Sequence, residues 1–393
     1  MMALRRPRTR GEGGAERMAG TFQLILNGTP ADDAFYTRLS LLEVEENVDL
    51  PGAIQLKLPV TADDSGDLTN VNDDRFQPFA TLAVVAQQED QPDQCVFDGV
   101  VLSSKLHLTT GAVASELQVW GQDASWLMNL EDKVKEWVDV TDASVADAIF
   151  SDYGITPADE NTSDDSPSHT ESGHSLMQRA TDIQFLRQLA RRNGKLCRVA
   201  CQDKPGARTG YFVKPALNGD PVATLTLNDA ASANVSVLDF EWDVARPSAV
   251  KASQALFTDP GEDGASGDTS DSGLAPLDER TLADFAGKAI TTRLTAPVDD
   301  AGELMLRAQA LLRESGWFAR CEGETNAGRL RCVLRAGTVV QVDGAGALNS
   351  GKYYVWSVRH SFTPEAHKMR FTLVRNAVGP PPAGGGGLLG GLI

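Results

Sequence analysis

Ala53-Ile54-Gln55-Leu56-Lys57-Leu58 carries an apolar side chain at every second position from Ile54 onward. On a pleated strand this spacing puts Ile54, Leu56 and Leu58 on one face and Gln55 and Lys57 on the other, so the stretch reads as a strand with one dry and one wet side. The pattern recurs on both sides. Phe22-Gln23-Leu24-Ile25-Leu26, Ser40-Leu41-Leu42-Glu43-Val44, residues 80–85, residues 95–102 and Val113-Ala114-Ser115-Glu116-Leu117-Gln118-Val119 follow it, separated by Asp, Asn, Gly and Pro clusters. Short strands at this density predict a closed antiparallel barrel or a sandwich. The acidic patches Asp63-Asp64, Asp67 and Asp73-Asp74 fall between strands. They lack the ligand order of a Ca²⁺ loop and read as solvated turns.

Helical signals come next. Thr141-Asp142 supplies a cap, Val145, Ala148 and Ile149 form a stripe, and Gly154 can end it. Residues 159–175 are polar loop. Thr181-Asp182 then caps a segment in which Ile183, Leu186, Leu189 and Ala190 share a face, with Asn193-Gly194 as its stop. Arg191 and Arg192 suit the negative end of that helix, while Arg187 falls off the apolar stripe and is expected at a surface or an interface. Strands resume from Lys195 to Phe257. Residues 261–273 read as an acidic, Gly-rich linker. Two helices are predicted after it. One is built on Leu282, Phe285, Ala286, Ala289 and Ile290, and the other starts at the capping box Asp300-x-x-Glu303. From Trp317 the pattern is β again. There Trp356, Val358 and Phe371 are expected in a core, and Tyr354, Trp356, Val358, His360 and Phe362 on one strand face.

Composition narrows the function classes. In 393 residues, 36 Lys and Arg against 54 Asp and Glu give a net charge of −18, which opposes a broad surface gripping nucleic-acid phosphates. No run of 18 apolar residues exists, so no membrane insertion is expected. Arg5, Arg6, Arg8 and Arg10 mark residues 1–20 as a basic arm rather than an export signal, because no apolar segment follows. Five scattered cysteines make no disulfide scaffold, and Cys197 and Cys201 have the wrong spacing for a CxxC element. There is no P-loop, HExxH, GxSxG or dinucleotide fingerprint. The five histidines lack metal-ligand spacing; His360 reads as a hydrogen-bonded core or interface residue, and His169 and His174 as exposed loop residues. No catalytic residue, metal ligand or cofactor site is nominated. The residues describe a multidomain, β-rich protein that is not an enzyme.

Three stretches, in order, carry a resemblance. The first is Phe97-Asp98-Gly99-Val100-Val101, Val119-Trp120-Gly121-Gln122-Asp123-Ala124 and Ala143-Ser144-Val145-Ala146-Asp147-Ala148-Ile149 with Tyr153-Gly154-Ile155. The second is the capped helix from Thr181 to Ala190 with Asn193-Gly194. The third is Leu334-Arg335-Ala336-Gly337-Thr338-Val339-Val340-Gln341-Val342, Gly351-Lys352-Tyr353-Tyr354-Val355, Val358-Arg359-His360 and Leu373-Val374-Arg375-Asn376-Ala377. Over residues 21–377 the chain resembles the phage late-control protein D family. That family forms the tail baseplate hub and is related to the N-terminal part of VgrG spike proteins and to the T-even phage hub.

The resemblance implies a mainly β fold with α/β insertions: two small antiparallel β-barrels per chain, assembled as a trimeric ring of pseudo-sixfold symmetry. Its parts would be a basic arm (1–20), a first barrel (21–130), an α/β domain (131–232), a second barrel (233–258 with 317–378), a linker and helical insertion (259–316), and a Pro/Gly-rich docking tail (379–393). The implied role is a structural adaptor between a sixfold tail tube and a threefold spike, in a virion baseplate or a tail-like particle assembled in the bacterial host. The partners would be two further copies, a separate spike protein, the tube protein and other baseplate proteins. Nucleic acid would pass through an acidic lumen without sequence-specific binding. Leu388, Leu389, Leu392 and Ile393 are the expected spike- or hub-docking residues, and Arg5, Arg6, Arg8 and Arg10 the expected arm contacts. The alternatives are a VgrG-like hub of a contractile injection system delivering effectors and, more remotely, a cell-wall hydrolase in residues 259–316.

Overall fold

The computed structural model describes residues 21–88, 91–110, 115–162, 166–171, 175–229, 231–254, 265–296 and 301–380. Arg5, Arg6, Arg8 and Arg10, the set Leu388, Leu389, Leu392 and Ile393, His174 and the cap at Asp300 lie outside the described residues.

The alternating stretches form strands as their pattern dictates. In the first part of the chain these are β1 (Phe22–Leu26), β2 (Thr29–Pro30), β3 (Leu41–Asn47), β4 (Ala53–Pro59), β5 (Thr81–Ala86), β6 (Gln94–His107) and β7 (Glu116–Asp123), with a short helix α1 (Asp33–Arg38) after β2. They pair antiparallel in the order β3-β4-β7-β6-β5-β1-β2. Leu56 stands opposite Leu42 on β3 and Val119 on β7, so the dry faces of three strands coincide. The β6–β7 crossing admits no side chain at Gly99, where an added Cβ would lie 2.0 Å from the Gln122 carbonyl oxygen.

An α/β unit follows, comprising β8 (Asp132–Trp137), β9 (Val140–Thr141), α2 (Asp142–Asp152), β10 (Thr156–Pro157), β11 (Ser168–His169), β12 (Leu176–Thr181), α3 (Asp182–Asn193), β13 (Leu196–Cys201) and β14 (Arg208–Val213). Both long helices start where their caps predict. The Thr141 and Thr181 hydroxyls accept from the backbone N–H groups of Ser144 and Gln184, and Gly194 ends α3 in the left-handed conformation (φ 59°). Ile183, Leu186, Leu189 and Ala190 are buried together with Phe150 and Phe212.

The chain then returns through β15 (Thr224–Thr226) and β16 (Val235–Trp242) and leaves again into a second excursion. There β17 (Ala249–Gln254) pairs with β18 (Ala265–Ser266) and with β20 (Thr291–Leu294), and α5 (Ala301–Ser315) packs Leu304, Ala308 and Leu312 onto Val250 and Ala252 of β17. Between them lie β19 (Arg280–Thr281) and α4 (Leu282–Ala286). The helix expected through Ile290 is therefore cut to little more than one turn. Gly287, at φ 67°, closes it, and Ile290 is exposed. Part of the presumed linker is strand rather than coil.

The last part contains β21 (Ala319–Asn326), α6 (Ala327–Leu330), β22 (Val339–Asp343), α7 (Gly346–Asn349), β23 (Gly351–Phe362), β24 (His367–Arg375) and β25 (Ala377–Val378). Here the strands run β16-β21-β24-β23, with β22 beside the first half of β23 and β15 beside β22. The second half of β23 pairs antiparallel with β3, Val358 opposite Glu46 and His360 opposite Val44. The two sets of strands expected as separate barrels are thus one continuous 13-stranded sheet joined at β3–β23. They share one core, in which Leu24, Leu56, Val84 and Val119 meet Val340, Val355, Phe371 and Leu373. The sheet also curls back on itself: the ring of Phe22 on β1 lies 5.1 Å from that of Phe362 at the tip of β23, although several strands separate β1 from β23 along the sheet.

The strand phase expected for β23 breaks at Trp356. A bulge between Val355 and Ser357 inserts one residue against β24, which reverses the faces on either side of it. Val358, His360 and Phe362 therefore face the shared core, whereas Tyr354 and Trp356 face the opposite side with Trp317. Val358 and Phe371 are buried as expected, but Trp356 is only half-buried.

Candidate functional site

The junction of the two sheet halves concentrates charge in the interior. Glu46 continues the inward phase of Leu42 and Val44 on β3, and Arg335 enters from the loop before β22. The Arg335 guanidinium lies 2.6 Å from the Glu46 carboxylate and donates to the Cys201 carbonyl on β13 (3.0 Å), so one side chain ties β3 to the α/β unit. Nδ1 of His360 and Nε2 of His367 are 2.9 Å apart, both rings buried, and Nε2 of His360 lies 3.6 Å from Glu46 Oε2. Burial alone would raise the Glu46 carboxyl. Arg335 and His360 outweigh it and hold the group at about 2. Burial, then the neighbouring His360 ring, push His367 well below the usual imidazole range, against the attraction of Glu46. This cluster is a charged joint between the two halves of the sheet.

Two further clamps fix the α/β unit. Asp98 on β6 accepts from Arg208 Nε (2.7 Å) and Nη2 (3.0 Å) and from the Gly206 N–H (2.9 Å). Asp142, at the first position of α2, is wholly buried and is held by Arg192 (2.7 Å), His169 (2.8 Å) and Asn193 (2.6 Å). Burial would raise the Asp142 carboxyl, but its charged and hydrogen-bonding partners outweigh that and keep it low. His169, expected as an exposed loop residue, is buried because this carboxylate gives its ring a partner. A third ion pair joins Arg375 of β24, also wholly buried, to Asp278 of the excursion.

All five cysteines are free thiols. Burial raises Cys197 and Cys321 to about 12, far from nucleophilic range at neutral pH. Among the described residues no group of three or more His, Cys, Asp or Glu side chains is placed to hold a metal, and no helix is long and apolar enough to cross a membrane.

Two surface features remain. Among the described residues β16 ends the 13-stranded sheet with no strand on its outer side, and Val237 and Trp242 on it are exposed, Trp242 to 55%. A cleft of about 340 Å³ opens beside its far end, floored by Trp317, Phe318, Trp356 and Val374. Trp317 stacks on Tyr354 at 5.7 Å and meets Trp356 edge-on at 6.2 Å. Neither feature was legible in the sequence. An unpaired edge depends on which strands pair, and the cleft depends on the bulge that turns Trp356 outward.

This architecture is similar, over nearly the whole chain, to that of two tail proteins. The 43 kDa tail protein of prophage MuSo2 from Shewanella oneidensis is similar over 92% of this chain and 99% of its own, with a TM-score of 0.62 at 14% identity. A tail protein from Neisseria meningitidis MC58 matches over 91% and 97%, with a TM-score of 0.60, also at 14% identity. A chain of the Francisella PdpA–VgrG complex matches 92% of this chain and 53% of its own, with a TM-score of 0.53 at 11% identity. By sequence, the chain belongs to the Alg8 N-terminal domain family, whose model matches residues 17–364. The matching family model is thus not that of the late-control protein D family, which the three stretches resemble. No curated protein matches the chain.

Proposed function

We propose that this protein is a structural hub of a contractile phage tail or tail-like particle, joining a sixfold tube to a threefold spike, and that it acts through binding and shape rather than catalysis. The observation that carries this reading is the end-to-end correspondence of its fold with two tail proteins. The joined sheet supports it physically. Each chain brings two sets of strands to one core, so three chains would set six such units around an axis while keeping threefold symmetry for the spike. A closed ring needs two different surfaces per subunit, and the bare β16 edge offers one of them.

The partners in this reading are two further copies, a separate spike polypeptide, the tube protein and other baseplate proteins, in a particle assembled in a bacterial host. A second reading, a VgrG-like hub of an injection system, is favoured by the similarity to the PdpA–VgrG complex. Light scattering tests the assembly. The proposal expects about 126 kDa, three times the 42.0 kDa chain, alone or with the spike protein added. A stable monomer in both conditions would overturn it.

A further inference from the structure

We propose that the Trp317–Trp356 cleft is the seat of this chain's own residues 388–393, Leu-Leu-Gly-Gly-Leu-Ile. The cleft selects for an apolar occupant. Its floor is aromatic and aliphatic, while arginines at its rim already have acidic partners: Arg246 pairs with Asp243 at 3.1 Å, Arg191 approaches Asp49 to 3.9 Å, and Arg320 pairs with Glu322 at 2.5 Å. A rim satisfied in this way holds little attraction for the arginines of residues 1–20. Their chain also enters the fold elsewhere, where the Thr21 hydroxyl donates to the Thr363 carbonyl beyond the opposite end of β23.

The route of the chain favours the other end of the sequence. Val374 lines the cleft, and Val378 packs in one cluster with Phe318, which also lines it. Pro380 is six residues from Val374, a separation of at most about 20 Å. The eight residues from Pro380 to Leu388 can span about 27 Å, so Leu388 can return to the floor. Leu388, Leu389, Leu392 and Ile393 supply four apolar side chains, and Gly390 and Gly391 between them let the backbone approach closely. Seated there, they would cover the face of Trp356 that the bulge turns out of the core.

The test uses the full chain and a synthetic peptide of residues 384–393, with binding followed by tryptophan fluorescence. The unsubstituted chain should bind the peptide weakly, because its own segment competes. Leu388→Asp with Leu389→Asp should vacate the cleft and tighten peptide binding about tenfold or more, the scale of burying one or two apolar side chains. Adding Trp356→Leu should abolish the gain and adding Trp356→Phe should retain it, while a peptide carrying the two Asp substitutions should not bind. Equal peptide affinity for the parent and the Leu388/Leu389 variant would overturn the proposal. So would binding indifferent to Trp356→Leu, or a difference that grows with protein concentration, which would place another molecule's segment in the cleft.

Discussion

Glu46→Gln removes the one anion of the buried joint while keeping its size and an acceptor oxygen. The Glu46 carboxyl sits at about 2 in the fold against an ordinary value of 4.5, and its side chain is only 13% exposed, so ionisation there contributes roughly 3 kcal/mol at neutral pH. The sign follows from a depressed acid. The contribution is complete above pH 4.5 and fades as pH falls toward 2, with about half gone near pH 3. His367 acts in the same direction over a higher range. Its lowered imidazole stays neutral in the fold while the unfolded chain takes up a proton below pH 6.5, so acid favours unfolding. At pH 7 the substitution would leave the Arg335 guanidinium facing a neutral amide, and urea unfolding should show a loss of about 3 kcal/mol, or about 4 °C in Tm if the chain melts as one unit. The gap between parent and variant should narrow steadily from pH 5 to pH 3. A constant gap across that range would show that Glu46 is not held as a carboxylate by Arg335 and His360, and the electrostatic account of the joint would fail.

Other substitutions probe separate parts of the fold. Asp98→Ala strands Arg208 and should cost about 2–4 kcal/mol, with faster hydrogen exchange confined at first to β13 and β14. Gly99→Ala drives a methyl group into the Gln122 carbonyl and should reduce soluble yield or lower Tm by several degrees; a Tm within one degree of the parent would mean that the β6–β7 crossing is looser than described. Trp242→Asp, on the exposed edge, should cost the monomer only about 1–2 kcal/mol through its edge-on contact with Phe285, yet abolish the proposed trimer in native mass spectrometry. An intact trimer in that variant would remove β16 from the interface.

The parts of this fold that were legible in the sequence are those set by neighbours along the chain. Ile54, Leu56 and Leu58 announce a strand because burial on a pleat has period two, and Thr181 with Gly194 brackets α3 because caps act within one turn. What failed was set at a distance. Glu46 and Arg335 are 289 positions apart, and neither has a local pattern that marks it as a partner of the other. The joining of β3 to β23 has the same character: alternation shows that both are strands but not that they pair. Trp356 shows how a single inserted residue reverses an otherwise sound strand phase. The α4 helix was overextended because its apolar spacing continues past Gly287, where the backbone turns left-handed. Of the expected docking residues, all eight fall outside the described part of the chain.

Electron cryomicroscopy of the purified protein, alone and with the spike protein that the hub reading proposes as a partner, is the decisive measurement. The hub reading predicts a closed ring of three chains in which the two sheet halves of each subunit give six similar units around an open lumen. A twofold dimer, an open filament, or a ring without alternating halves would contradict it.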